Sequence, residues 1–144
     1  MNRQESSMTR QQFEKEYALS QAVKQSFPES LERSMNALKL NKERLAKKLD
    51  ASVDTVKRYT SGKSLPPRPM AVALCVVLSL EYEQSILFLK GMGIALTTDR
   101  KEDYAYDLLL KRYSGKPISE CNSFLGEMGV EKEYHLYPRG KKKK

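Results

Sequence analysis

The chain has 144 residues with 26 basic and 18 acidic side chains, a net charge of +8 with its one histidine neutral. That length suits one domain, or one domain with helical appendages, and 40% apolar residues are enough to build a core. The longest apolar run, Met70–Leu80, is 11 residues including Ser79, too short for a bilayer and right for a buried helix.

The opening stretch "MNRQESSMTRQQFEKEY" has no apolar segment of the kind a secretory signal needs. Cys75 and Cys121 are far apart in sequence and are expected to be free thiols in a cytoplasmic protein. The charge is unevenly placed. Residues 28–70 hold ten basic and five acidic side chains, whereas residues 71–98 hold one and two. A basic excess so localised favours a polyanionic partner, although a merely solvated surface would look the same.

Every clear pattern has the helical period, so the expected class is all-α. Residues 9–25 form a weakly amphipathic N-terminal helix with Phe13, Tyr17 and Val23 on one side. Pro28 suits the first turn of the next helix, in which Leu31, Met35 and Leu38 repeat to about Lys39. Asn41 is a good N-cap for Lys42–Leu49, and Ser52 for Val53–Ser61, with Gly62 as the stop.

"SLPPRP" redirects the chain, and Pro67 or Pro69 can start a helix to about Leu78. Being apolar nearly all round, that helix is expected at the centre. Glu81–Met92 follows, ended by a left-handed Gly93. Asp99 is the expected cap of Arg100–Tyr113, and Pro117 opens a last helix to Met128 before Gly129. "FLKGMGI" and "FLGEMGV" echo one another at an offset of 36, either as two alike helix ends or by chance. The remainder, residues 131–144, reads as a mobile basic tail. Its Lys141–Lys144 would add salt-sensitive attraction to phosphates or serve only solubility.

The stretch "LAKKLDASVDTVKRYTSGKSLP" carries the chemistry. Two short helices joined by "DAS" need a small residue at their crossing, supplied by Ala46, and a turn residue that tolerates positive φ, here Asp50. Ala51, Val56 and Tyr59 are spaced to lock the second helix inward. Val53, Asp54, Thr55, Lys57 and Arg58 are left outward.

This set resembles the Cro/C1-type (XRE) helix-turn-helix family, whose domain is a five-helix fold related to phage lambda repressor. The resemblance covers residues 28–92, with "ERLAKKLDASVDTVKRYTSGKSLP" and "AVALCVVLSL" in family register. The chain departs from the family's frequent glutamines at Lys42 and Val53, from its glutamate at Thr60 and from its glycine at Asp50. The later stretch "DLLLKRYSGKPISECNSFLGEMG" resembles extensions on small regulators of this type from Gram-positive bacteria.

The resemblance implies a dimeric, sequence-specific regulator of transcription, expected to be a repressor, that places its second motif helix in the major groove of double-stranded DNA. The expected organisation is an arm and weak helix over 1–26, a DNA-binding domain over 27–96 and a helical extension over 97–130. Val53, Asp54, Thr55, Lys57 and Arg58 are the candidate base contacts; Asp54 can accept from a cytosine amino group or simply favour the helix dipole. Lys42, Ser52, Ser61 and Lys63 are the candidate phosphate contacts. Tyr106, Leu109, Leu110, Phe124 and Leu125 are candidates for a dimer or partner surface, or for packing on the core.

An enzyme is not expected: no nucleophile elbow or phosphate-cradling glycine motif occurs. Neither a cofactor nor a metal site is expected, since Cys75, Cys121 and His135 lack ligand spacing. Asp99, Glu102, Asp103 and Asp107 read as a solvated acidic face or a partner contact. The rival expectation is a protein-interaction module, or an antitoxin-type regulator, that binds a partner protein through its helical extension.

Overall fold

The core is organised around one helix. In the computed structural model, which describes residues 8–25 and 27–136, helix α5 (Arg68–Val77) buries eight successive side chains from Met70 to Val77. Burying an aliphatic side chain is worth roughly 1.5–3 kcal/mol, so the other helices have most to gain by covering this one. Before it come α1 (Arg10–Gln25), α2 (Phe27–Ala37), α3 (Lys42–Leu49) and α4 (Val53–Thr60). After it come α6 (Tyr82–Gly91), α7 (Lys101–Arg112), α8 (Ile118–Glu127) and a 3-10 helix, Lys132–Tyr134. Among the described residues there is no strand, and the all-α expectation holds.

Helices α3, α6, α7 and α8 pack on α5, while α4 packs on α3 and α2. Residues of the C-terminal helices, including Leu109, Leu110 and Leu125, belong to the same apolar core as Leu31, Leu49 and Val56. Pro67 caps α5 and Pro69 lies in its first turn, where a missing N–H has no consequence. No helix among the described residues is long and apolar enough to cross a membrane.

Most helices stop in the same way. A residue in left-handed geometry is followed by an N–H that reaches back five positions: Leu40 to the Met35 carbonyl, Ala51 to Ala46, Leu80 to Cys75, Ile94 to Leu89 and Val130 to Leu125. The left-handed residues are Lys39, Asp50, Ser79, Gly93 and Gly129, with φ between 56° and 79°. The echo between Phe88–Ile94 and Phe124–Val130 therefore has a local structural counterpart: both segments end a helix with this hydrogen bond, at 2.9 Å in each case.

Phe13 and Tyr17 share one side of α1 as expected; each is 58% exposed, and their rings stack on one another at 6.3 Å. The side chain of Val23 lies outside the described residues. Asp99 does not cap α7, which begins from Arg100; the Asp99 N–H is instead held by the Thr97 hydroxyl at 2.9 Å.

A further correction is that residues 131–136 are not a mobile tail. Leu136 is wholly buried, its N–H donates to Asn122 Oδ1 at 2.7 Å, and the Tyr106 hydroxyl donates to the Tyr134 carbonyl. Lys141–Lys144 lie outside the described residues.

Candidate nucleic-acid interface

Helix α3 begins at Asn41, whose side chain accepts the Arg44 N–H at 2.8 Å. It buries Leu45, Ala46 and Leu49, and it ends at Asp50 with φ 59° and ψ 44°. The left-handed turn expected at that residue is present, and it reverses the chain within three residues. Ser52 then caps α4, accepting the Thr55 N–H at 3.1 Å. Val56 and Tyr59 are buried, which fixes the rotation of α4 about its axis. Burial pushes the Tyr59 hydroxyl above the ordinary tyrosine pKa, with the Arg58 charge pulling the other way.

With Val56 and Tyr59 inward, Asp54, Lys57 and Arg58 stand exposed. Val53 and Thr55 are half-buried: Val53 leans against the core, and the Thr55 hydroxyl lies 2.9 Å from Ser52 Oγ. The first N–H groups of α4, those of Val53 and Asp54, have no acceptor within the helix, and its positive dipole end lies there. At the other end the Arg58 carbonyl accepts the Lys63 N–H at 3.0 Å and the Ser64 N–H at 3.3 Å. The loop carrying the exposed Lys63 is thereby folded back onto α4. Lys42 stands half-buried at the first position of α3.

Ser61 is the exception among the candidate phosphate contacts. Its hydroxyl donates to the Arg58 carbonyl at 3.2 Å and its N–H to the Lys57 carbonyl at 3.0 Å. Both donors are committed within the chain, and a phosphate offers only acceptors. Arg44 was missed by the sequence reading. It stands exposed in the first turn of α3, two residues after Lys42, and a basic residue at that point of the motif was a readable signal.

The basic excess of residues 28–70 does not all reach the surface. Arg68 Nη1 lies 3.2 Å and 3.3 Å from the two carboxylate oxygens of Asp103 and also donates to the Ala95 carbonyl at 3.1 Å. Asp103 is fully buried and accepts the Thr97 N–H at 3.1 Å as well. The acidic stretch of α7 is thus not one solvated face, because Asp103 points inward and ties α7 to the start of α5.

Four of the five residues expected at a dimer or partner surface are committed to the chain's own core. Tyr106, Leu109, Leu110 and Leu125 are buried, and only Phe124 is half-exposed, its ring tilted against Tyr113 at 5.2 Å. Apolar spacing marked them as inward-facing correctly; what they face is α5 and its neighbours.

No family model matches the chain, and no curated protein or solved structure matches it.

Proposed function

We propose that the chain is a sequence-specific, double-stranded DNA-binding transcriptional regulator with a lambda-repressor-like, Cro/C1-type helix-turn-helix. It lays α4 in the major groove and acts as a repressor. The observation that carries this reading is the α3–Asp50–α4 unit. It presents an eight-residue helix, capped by Ser52 and rotationally fixed by Val56 and Tyr59, with Asp54, Lys57 and Arg58 exposed on its outer side. Lys57 and Arg58 contact guanine or phosphate, and Asp54 accepts from a cytosine amino group. The accessible parts of Val53 and Thr55 pack on a thymine methyl. Lys42, Lys63 and the opening N–H groups of α4 hold the backbone. One short helix reads few base pairs, so a dimer on two half-sites one helical turn apart completes the mechanism.

The test is selection of bound sequences from random duplex DNA at two salt concentrations, repeated with Asp54→Ala. A two-fold symmetric motif that survives the higher salt is expected. Asp54→Ala should relax one base position by about 1–3 kcal/mol. Binding with no motif, or one that vanishes with salt, would overturn the reading. A second reading, a module that docks a partner protein, is favoured by the stacked, exposed Phe13 and Tyr17 and by Leu87, itself 63% exposed. Stable co-purification of one protein, lost on Phe13→Ser, would favour it.

A further inference from the structure

A cleft of about 860 Å³ runs between the α3–α4 turn and the start of α8, a size in the range of ligand pockets. Its walls bring together Lys47 and Lys48 from the end of α3, Lys116 from the α7–α8 turn and Lys132 from the 3-10 helix. Among the described residues one carboxylate, Asp50, lines the same space. None of the four lysines belongs to an ion pair among the described residues. Val77 and Ile118 give the cleft an apolar floor.

Helix α8 opens onto this cleft from Pro117, without any side-chain cap. The N–H groups of its first turn and its positive dipole end therefore add to the lysine charge. Independently, Asn122 lines the cleft while only 7% exposed. Its Oδ1 accepts the Leu136 N–H, which fixes the orientation of the amide, because that N–H needs an acceptor. Nδ2 is then a buried donor with no hydrogen-bond partner among the described residues, a condition native proteins seldom carry without a use. Unpaired cations, an uncapped helix start and an orphaned amide donor all lack the same thing: an acceptor with negative charge.

We propose that this cleft is a binding site for a small organic anion, a phosphate ester or polycarboxylate whose acceptors meet Lys116 and the α8 N-terminus and reach Asn122 Nδ2 on a slight opening of the wall around it, and whose carbon body lies on Val77 and Ile118. A duplex would reach the rim lysines, but a concave site with its amide donor buried in the wall suits a small molecule. Because Lys47 and Asp50 line it at the turn that aims α4, occupancy alters DNA affinity. That consequence rests on the function proposed above; the binding itself does not.

The experiment uses the full chain without DNA, titrated at constant ionic strength with inorganic pyrophosphate and, separately, citrate, and followed by thermal melting and calorimetry. A saturable rise in Tm is expected with at least one, pyrophosphate marking a phosphate site and citrate a carboxylate site. Kd should weaken about tenfold or more in Lys116→Ala and in Asn122→Asp. The second variant keeps the acceptor for Leu136, and so the fold, while replacing the donor by a negative charge. Lys90→Ala, an exposed lysine on α6, should leave Kd unchanged. No saturable rise, equal Kd in wild type and Asn122→Asp, or equal losses in Lys116→Ala and Lys90→Ala would each overturn the site. Duplex affinity with and without the bound probe then tests the coupling alone: a change upholds it, and identical affinities remove it.

Discussion

The α3–α4 unit and the α7–α8 pair are each two helices joined by a short turn, yet they are held in place by different forces. Buried apolar side chains hold the first: Leu45, Ala46, Leu49, Val56 and Tyr59, with its caps Asn41 and Ser52 at the surface. The second adds a set of buried or half-buried polar ties. Asp103 meets Arg68, the Tyr106 hydroxyl meets the Tyr134 carbonyl and Asn122 meets Leu136, while at the surface the Ser114 hydroxyl donates to the Leu80 carbonyl at 2.9 Å. The Gly115 N–H also donates to the Val76 carbonyl at 2.8 Å, bringing the α7–α8 turn onto α5. A side chain there would meet Ser79 Oγ at 3.1 Å and would have to adopt φ 81°. Apolar packing tolerates changes of shape within limits, whereas a buried polar tie fails when one partner goes. The C-terminal half should therefore be the more sensitive to single substitutions that remove a polar atom.

The largest expected effect follows from that difference. Asp103→Ala strands the Arg68 guanidinium and the Thr97 N–H, and breaking such a pair costs about 3–5 kcal/mol. The lower end is expected because the Arg68 side chain keeps 30% of its surface in water. Urea unfolding measures it, with the double change Asp103→Leu, Arg68→Met as control; that pair should lose less than Asp103→Ala alone. A loss for Asp103→Ala no larger than that of an exposed ion pair, under about 1 kcal/mol, would erase the proposed contrast between the two regions.

Alkaline pH gives a second, graded probe. Burial pushes the Cys75 thiol in α5 up to about 12 and the Cys121 thiol in α8 up to about 11. In the unfolded chain both ionise near the ordinary value of about 8.5. A raised folded pKa means that the stability these thiols contribute is complete below the unfolded value and is lost as pH climbs toward the folded one. Each thiol should remove roughly 1.4 kcal/mol per pH unit once the unfolded form is ionised. Denaturant midpoints from about pH 8 to about pH 10.5 should fall less steeply in Cys75→Ala than in wild type. Parallel slopes would mean that the native thiol ionises as freely as an unfolded one.

Much of the α3–α4 unit was legible because its signals are local. Asn41, Asp50, Ser52 and Gly62 each act on backbone within a few residues, and the span Lys42–Leu49 agrees with the sequence reading at both ends. The apolar run through α5 announced a central helix in the same way. What escaped detection depends on partners distant in sequence. Asp103 reads as one more acid on a polar helix until Arg68, 35 residues away, is brought beside it. "EKEYHL" reads as tail because Asn122 and the Tyr106 hydroxyl, distant in sequence, give Leu136 and Tyr134 a place to dock. Phe13 and Tyr17 share the face that helical spacing gives them, but spacing supplies nothing to cover it. The cleft beside Asn122 is likewise assembled from segments with no common sequence signal.

The smallest effect concerns how the helices end. α4, α6 and α8 stop at Gly62, Gly93 and Gly129, whereas α2, α3 and α5 stop at Lys39, Asp50 and Ser79 in the same left-handed geometry. For an L residue that geometry costs about 1–2 kcal/mol, less for Asp, which is one of the few side chains to adopt it readily. Glycine removes the strain but gives the unfolded chain more freedom, a penalty of up to about 1 kcal/mol. Lys39→Gly should therefore stabilise the chain by roughly 0.5–1 kcal/mol, and Asp50→Gly by less. Gly129→Ala should move stability the other way, since a Cβ is strained at φ 78° whatever space surrounds it. Urea midpoints for the three variants order them directly. If Asp50→Gly gained as much as Lys39→Gly, the aspartate at the α3–α4 turn would have no conformational advantage over lysine, and the case for it as the turn residue of the motif would fall.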